Sequence, residues 1–549
     1  MISKKLIYIL IFLVFGHFNV VSQSLNDSGD LVLFADRNFC LSGDTLWFKV
    51  WMPNSFQQKE NVVRVQLDDR GNNLISTVII KAEKDWAQGF INVPDSLSTG
   101  QYFVTAFFNS QRNLPDLTIK SKSLLVYNRF EEYVSELDVL DDKYIEESIV
   151  GNRGLKIDTD KEIYQTREKV TVKFGADKEF QKAVIKATIV DPLTKKLGKS
   201  YQFELESSNS QIPDFEEQDG FLISGKVVDV VGKPQKGALI LLSIMGEPSY
   251  FDYYLSGNEG DFHFFLKNAV GSTDMVLQAV LSNQKELFIE QELNYLKRKE
   301  ELVMQTKALT SGQSEFISLL TKGNFIDRLF KSLNVQQIEY FEMPARFSMP
   351  FYGQPTQRVF PEEFLELPDF NEISKELLFG VQYRNRKGNV TIRMIGDTNQ
   401  GFFNSEPLRL LNGIPIFKNS LYSSLKSEDI NYIDITRNER IFGDLSFKGI
   451  LAVSLFDKSN SWMAEQANIF QFNINCLQPK STPEYLPDNK TNRSLPDVRQ
   501  VFYWEVLNQD SINEIEFSLS DLKGEVEISF EGIAANNKIF RVSKTIEVK

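Results

Sequence analysis

The feature that most constrains this fold is a side-chain period of two in residues 45–50, directly after the turn Ser42-Gly43-Asp44. One face of this segment is apolar and carries Leu46, Phe48 and Val50. The other face carries Thr45, Trp47 and Lys49. Strict alternation of this kind predicts a β-strand that buries one side in a core.

Further strand-like segments follow at intervals of about ten residues, with turn residues between them. They lie at residues 62–67, 74–80, 89–93 and 101–108. Short strands at this regular spacing are typical of a β-sandwich of about 100 residues. We therefore expect one sandwich at residues 25–130.

The same pattern recurs later in the chain. Residues 160–174 align without gaps on residues 36–50. Two positions are identical: Asp160 aligns with Asp36, and Lys173 aligns with Lys49. The inward positions of the repeat are Val170, Val172 and Phe174. The shared register predicts a second, related sandwich at residues 150–215.

The remainder of the chain divides by changes in pattern. Glycines at tight turns, apolar residues at helical spacing and clustered prolines mark the units. We expect a small antiparallel β unit at 220–295, a helical and extended connector at 296–368, an α+β domain at 369–460, a linker at 478–497 and a C-terminal β unit at 498–549. The 44 phenylalanines and 18 tyrosines also favour strands. The predicted class is mainly β, with serial immunoglobulin-like sandwiches, one α+β domain and a short helical connector.

The N-terminus predicts export. Lys4 and Lys5 precede an apolar run at residues 6–15, and small residues end at Ser22. This order is typical of a secretory signal peptide, which we place at residues 1–22. The apolar run is shorter than the roughly 20 residues that span a bilayer. We expect a soluble mature chain in the periplasm or at the outer membrane, with no integral membrane span of its own.

The charge limits the possible partners, and the cysteine content limits the possible disulfides. The net charge is -13 and no basic stripe is present, so nucleic acid is a poor candidate. The two cysteines are Cys40 and Cys476. We expect two separate buried thiols, although a single long-range disulfide is the alternative.

Few residues offer catalytic chemistry. After loss of the signal peptide one histidine remains, His263, which alternates with Phe262 and Phe264 and so points to the opposite face. A Ser-His-Asp or Cys-His centre would have to use it, and no phosphate-binding glycine loop is present. We predict no catalytic residue, metal site or cofactor. A hydrolase with a carboxylate pair is the least favoured alternative.

Aromatic residues supply the candidate contact site for a partner. Trp47 and Trp51 share the strand face opposite the core, and a second aromatic group comprises Phe502, Tyr503 and Trp504. Exposed aromatics would form a contact patch. The alternative is that a neighbouring module of the same chain covers them.

Several motifs carry a resemblance to known families. Residues 36–37, 43–49, 94–97 and 100–102 resemble the macroglobulin-type domain of bacterial envelope proteins related to α2-macroglobulin. Residues 225–227, Asp229, 232–234, Gly237 and 260–262 resemble the carboxypeptidase regulatory-like domain, which carries no peptidase centre. Residues 407–417, 427–430, 432–435, 442–443 and 449–450 resemble the plug domain of TonB-dependent outer-membrane receptors. The C-terminal segments VFYWEVL, GEVEISFEGI and TIEVK resemble the ends of macroglobulin–plug proteins of Bacteroidota.

Two departures from these families shape the expected function. Receptor plugs precede a long transmembrane barrel, whereas about 90 residues follow here, so we expect no transport by this chain alone. The reactive Cys-Gly-Glu-Gln of protease-trapping macroglobulins is missing at both cysteines. The resemblance implies a non-enzymatic adaptor that docks to an outer-membrane protein complex, such as a barrel or a transport, secretion or assembly machinery. The alternative is a glycan- or peptide-binding protein that uses the exposed aromatics.

Overall fold

The structure is a computed structural model, and it describes most of residues 31–549. The ranges outside the description are 53–59, 114–117, 132–133, 141–154, 177–179, 191–199, 207–215, 247–248, 282–285, 293, 300–301, 332–348, 365, 398–400, 466–467, 484–496, 508–513 and 535–538. The predicted signal peptide, at residues 1–22, and most of the predicted linker therefore lie outside the described residues. Strands dominate the described part, which confirms the mainly β class.

The first sandwich begins the described chain. Its inward residues Leu46, Phe48 and Val50 are fully buried, as their alternation predicts. One sheet has the strand order β1-β3-β6, and the other contains β8-β7-β4-β5 with β2 paired to β8. The strands are β1 Val32–Ala35, β2 Phe39–Leu41, β3 Thr45–Trp51, β4 Val62–Asp68, β5 Leu74–Lys81, β6 Trp86–Asn92, β7 Gly100–Phe107 and β8 Thr118–Tyr127.

Five of the next six strands divide between two sandwiches. The six strands are β9 Glu136–Leu140, β10 Leu155–Thr159, β11 Ile163–Tyr164, β12 Lys169–Ala176, β13 Phe180–Ile189 and β14 Ser200–Glu204. Strands β10 to β13 belong to the second sandwich, whereas β14 pairs with β8 of the first sandwich. The expected boundary at residue 215 is therefore wrong, because β14 extends the first sandwich.

A third sandwich follows the second in sequence. Its sheets have the orders β18-β15-β20 and β17-β16-β19, with Phe221, Phe262 and Leu277 in the core between them. The strands are β15 Gly220–Asp229, β16 Leu239–Ile244, β17 Tyr250–Leu255, β18 Asp261–Lys267, β19 Ser272–Val280 and β20 Leu287–Gln291.

The predicted connector contains a strand and one long helix. Strand β21 (Met304–Ala308) pairs with β9, and helix α1 spans Ser311–Lys331. The helix packs Ile317 and Leu320 into the core of the second sandwich. This placement confirms the helical spacing as a packing stripe.

The α+β module spans residues 350–463. Its five-stranded sheet has the order β22-β27-β28-β25-β26, and β23 and β24 form a separate hairpin. The elements are β22 Gln357–Val359, α2 Phe370–Glu376, β23 Val381–Arg386, β24 Asn389–Met394, β25 Leu408–Leu411, β26 Ile414–Pro415, β27 Ile430–Phe442 and β28 Leu445–Leu455, with short 3-10 helices at Pro361–Glu363, Asn419–Tyr422 and Ser427–Asp429.

The last strands return to earlier sandwiches. They are β29 Ile469–Asn475, β30 Val501–Leu507, β31 Glu514–Ser518, β32 Gly524–Ala534 and β33 Ile539–Val548. Strand β29 pairs with β19 and completes a sheet of the third sandwich. Strands β30 and β32 flank β13 on its two sides, and β31 pairs with β12. The expected separate unit at 498–549 is thus half of the second sandwich.

The units are consequently nested along the chain. The α+β module is inserted between β20 and β29 of the third sandwich, and both lie between β13 and β30 of the second. Long-range pairing of this kind depends on sequence-distant strands, which a local period cannot reveal. Contacts join the first sandwich to the second and to the third, and the third sandwich to the α+β module.

The two repeats predicted from the sequence share their geometry as well as their register. Phe34 pairs with Lys49 in the first sandwich, and Asp158 pairs with Lys173 at the equivalent positions of the second. The Asp36 carboxylate accepts a hydrogen bond from the Trp47 N–H at 3.3 Å. The equivalent bond from Thr171 N–H to Asp160 measures 2.9 Å. In both sandwiches this aspartate ties the start of the unit to its central strand.

Candidate functional site

The predicted aromatic site lies at the seam between the first and second sandwiches. Trp51 and Trp504 are buried at 7% and 1% exposure, and both belong to an apolar cluster that draws residues from each sandwich. Trp47 and Trp86 pack at its edge. The expectation of an exposed contact patch is therefore corrected, because the second sandwich covers this face.

Phe502 and Tyr503, which precede Trp504 on β30, pack into or against the core of the second sandwich. Phe502 is 1% exposed and stacks on Phe517 inside the second core, with ring centres 6.1 Å apart. Tyr503 is half-buried and packs against that core. Phe502 and Trp504 are two residues apart and would share a face of a regular strand, yet they enter different clusters. The cause is a register shift between β13 and β30, where Ala187 pairs with Tyr503 but Thr188 pairs with Val501.

Polar contacts close the seam around the aromatics. Lys49 Nζ lies 4.1 Å from the centre of the Trp504 ring. Burial lowers the pKa of Lys49 to about 8, although Glu505 opposes this shift. Lys122 of the first sandwich lies 3.8 Å from Glu531 of the second. The seam therefore combines apolar contact with ion pairs, as an interface between domains does.

The residues considered for chemistry are buried or packed against other side chains. His263 is half-buried on β18, opposite the buried Phe262 and Phe264, and its ring centre lies 4.5 Å from that of Tyr254. Burial lowers its pKa. Cys40 and Cys476 are free and buried, in agreement with separate thiols. Within the described ranges, no cluster of three metal-binding side chains occurs.

A cavity of about 600 Å³ lies between the third sandwich and the α+β module. The third sandwich contributes Met245, Ser249 and Asp274 to its wall. The α+β module contributes residues that include Tyr352, Arg358, Asn412, Tyr432, Lys458 and Asn460. Its size is within the range of small-molecule sites.

The charged groups of this cavity are held in one fixed arrangement. Arg358 donates to both carboxylate oxygens of the fully buried Asp434, at 2.6 and 2.7 Å, and the Tyr352 hydroxyl donates to Asp434 at 2.8 Å. Burial and the Asp434 charge raise the pKa of Tyr352, and the hydrogen bond from Arg358 to Asp434 raises the pKa of Arg358. Tyr352 therefore stays protonated and Arg358 stays charged near neutral pH.

The surface of the α+β module is rich in exposed phenylalanine. Of the nine exposed phenylalanines in the described part of the chain, six lie on this module. They are Phe360, Phe364, Phe379, Phe402, Phe417 and Phe456. Exposed apolar side chains mark an interaction surface where they form a contiguous patch.

Three of these phenylalanines lie at one end of the sheet. Phe360 and Phe364 flank the 3-10 helix Pro361–Glu363, and the Phe360 ring lies 6.4 Å from that of Tyr432 on β27. The Phe456 N–H donates to the Asp429 carbonyl directly before β27. We call Phe360, Phe364 and Phe456 the phenylalanine end. Sequence reasoning missed it, since these residues lie in loops and 3-10 turns without periodicity.

Comparisons with known proteins give no family. No family model matches the chain, and no curated protein matches it. Among solved structures, trypsin-activated α2-macroglobulin from Escherichia coli is 8% identical with a TM-score of 0.22, covering 94% of this chain and 41% of that one. Salmonella α2-macroglobulin reacted with methylamine is 9% identical with a TM-score of 0.22, covering 94% and 39% respectively.

The chain thus spans about two fifths of the length of these structures. TM-scores of 0.22 do not establish a common fold. The fold class rests on the sheets described above, and the macroglobulin-type assignment stays a prediction from sequence motifs. No helix among the described residues is both long enough and apolar enough to cross a bilayer.

Proposed function

We propose that this chain is a non-enzymatic, exported adaptor that docks to an outer-membrane protein complex through its α+β module. The observation that carries the proposal is the phenylalanine end, three exposed aromatic residues on the module whose motifs resemble a receptor plug. Aromatic residues contribute much of the energy at protein interfaces. The nested sandwiches supply the support on which the module is presented.

The interior of the molecule favours binding over catalysis. Arg358 pairs with the Asp434 carboxylate, and Tyr352 donates a hydrogen bond to it. His263 packs against Tyr254, and the hydroxyl of its cross-strand neighbour Ser224 is hydrogen-bonded to Glu292. A catalytic group needs a pKa near the working pH and a reachable proton. The alternative of glycan binding through Trp47 and Trp51 loses its site, because the second sandwich covers that face.

Affinity purification from gently solubilised envelopes tests the proposal. The wild-type chain should recover an outer-membrane protein in stoichiometric amount. The variant Phe360→Ser/Phe364→Ser/Phe456→Ser should lose it. The matched control Phe130→Ser/Phe288→Ser/Phe325→Ser removes three exposed phenylalanines from other units and should retain it.

Two results would reject the proposal. The first is that the wild-type chain recovers no stoichiometric membrane protein. The second is that the triple variant at the phenylalanine end recovers as much of it as the control does. Thermal unfolding of both variants shows whether each is folded before the comparison is made.

A further inference from the structure

The hairpin β23–β24 leaves one of its two backbone edges open. The two turn residues, Lys387 and Gly388, have φ angles of 55° and 85°, as a type I′ turn requires. The turn pairs Arg386 with Asn389. In an antiparallel pair the hydrogen-bonded positions alternate. Tyr383 and Asn385 therefore direct their backbone N–H and C=O groups away from β24.

The opposite edge of the hairpin is closed, which confirms this register. Ile392 pairs with Tyr383, and its N–H donates outward to the Glu406 side chain at 3.1 Å. The Val390 carbonyl accepts from the Asn419 side chain at 2.9 Å. No described residue makes equivalent bonds to the outward backbone groups of Tyr383 or Asn385, so β23 is an unpaired edge strand.

The open edge borders a groove of about 760 Å³. Strand β23 forms one wall, and the C-terminal end of α2 with the following loop forms the other. Phe379 and Phe402, which are 71% and 40% exposed, also line it. The groove therefore combines an unpaired strand with apolar contacts, which is the combination that binds an extended peptide segment.

The charge of the hairpin selects the kind of segment. Arg384, Arg386 and Arg393 lie on one exposed face, because Arg384 pairs with Thr391 and Gln382 with Arg393. Lys387 adds a fourth cation at the turn, and residues 381–394 contain no acid. In the described structure none of these four cations has an ion-pair partner. The groove wall contributes one cation and one acid, Lys375 and Glu376.

We propose that β23 accepts an acidic, extended segment of the partner protein as an added β-strand. Backbone bonds to Tyr383 and Asn385 would hold the segment, and carboxylates on its exposed face would pair with Arg384 and Arg386. This inference rests on the proposed docking function and names the segment that the α+β module takes. It concerns a different surface from the phenylalanine end.

Peptide binding to the purified full chain tests the inference. The probe is a fluorescein-labelled peptide of eight residues that alternates glutamate and valine. We expect saturable binding by fluorescence anisotropy, together with slowed hydrogen exchange in residues 381–386. The lysine–valine peptide should bind at least about tenfold more weakly, because its charge is repelled by the arginines.

Backbone variants separate strand addition from charge attraction alone. Asn385→Pro removes an outward N–H without touching a bond to β24, and should abolish binding. Asn385→Ala is the matched control, since both variants lose the side-chain bond to Gly388 N–H but the alanine keeps its own N–H. A Glu–Val peptide with N-methyl groups on alternate residues should also fail to bind.

Charge variants complete the test. Arg384→Glu/Arg386→Glu should weaken binding by at least about tenfold, whereas Lys233→Glu/Lys236→Glu makes the same change of charge on the exposed turn of the third sandwich and should not. Equal binding by Asn385→Pro, or by the N-methylated peptide, would overturn strand addition. Self-association of the chain that is lost in Asn385→Pro would identify a second copy as the occupant and also overturn it.

The outcomes also distinguish this inference from the docking function. If Asn385→Pro still recovers the membrane protein while the peptide does not bind, the edge inference fails and the docking function stands. If the peptide binds as described but no membrane protein is recovered from envelopes, the docking function fails and the edge site remains.

Discussion

The ammonium nitrogen of Lys49 and the ring of Trp504, separated by 455 residues in sequence, lie 4.1 Å apart at the seam of two sandwiches. The lysine is 5% exposed. Its burial makes the charged form costly, and the ring face offsets only part of that cost. The pair thus sets a pH dependence on the stability of the seam.

We predict that Lys49→Met stabilises the chain at pH 7 by about 1–3 kcal/mol. The folded pKa of Lys49 is about 8, below its ordinary value of 10.5, so the folded state binds fewer protons between these values. Unfolding free energy of the wild-type chain should therefore rise from pH 8 to 10.5. The gain from methionine should disappear at pH 10.5. Thermal unfolding at both pH values measures it, and destabilisation at pH 7 would show that the cation–ring contact outweighs burial.

A buried carboxylate gives the second prediction. Burial raises the pKa of Glu60 to about 7, although hydrogen bonds from the Ser110 hydroxyl and the Glu217 N–H oppose this. The folded state binds more protons from pH 4.5 to 7, so stability falls as pH rises through this window. Glu60→Gln should stabilise by up to about 3 kcal/mol at pH 8.5 and have no effect at pH 4. Urea unfolding at each pH checks this, and an equal effect at both would contradict it.

The discontinuous second sandwich predicts the behaviour of a truncated chain. A chain that ends at residue 483 lacks β30 to β33, so β13 loses the neighbours on both sides. We expect rapid proteolysis within residues 155–189, while the third sandwich stays protected. A separately made fragment of residues 497–549 should restore protection when added. Protection of residues 155–189 without the fragment would disprove the dependence.

The buried cluster in the α+β module gives the fourth prediction. Asp434→Asn removes the charge that neutralises Arg358, and we expect a loss of about 3–5 kcal/mol. Tyr352→Phe removes one hydrogen bond to the same carboxylate and should cost less, about 1.5–3 kcal/mol. The two free energies of unfolding, with the double variant, show whether the residues act as one network. Equal and additive losses would contradict a shared network.

Local patterns in the sequence predicted the strands and the repeat well. The alternation of Leu46, Phe48 and Val50 places each of them in the core, and the aligned aspartates Asp36 and Asp160 make the same backbone bond. Both features depend on neighbours within about fifteen residues. Such contacts are visible to period and register arguments.

The features that the sequence did not predict arise from contacts between segments that are distant along the chain. The second face of β3 carries Trp47 and Trp51 beside polar residues, so its sequence alone does not decide whether it is exposed. It is covered because the second sandwich lies on it. The partnership of β13 with β30 and β32 has no local signal, because strand pairing follows from the path of the whole chain. The free edge of β23 is likewise defined only once β24 and its capping side chains are placed.

The nested arrangement has a consequence for biosynthesis. Strand β13 emerges from the ribosome more than three hundred residues before its neighbour β30. Until then its apolar residues Val184, Ile185 and Ala187 have no complete sheet to enter, and an unpaired strand is prone to pair with the wrong chain. The exposure of β13 to wrong pairing therefore lasts through the whole interval between synthesis of the two strands.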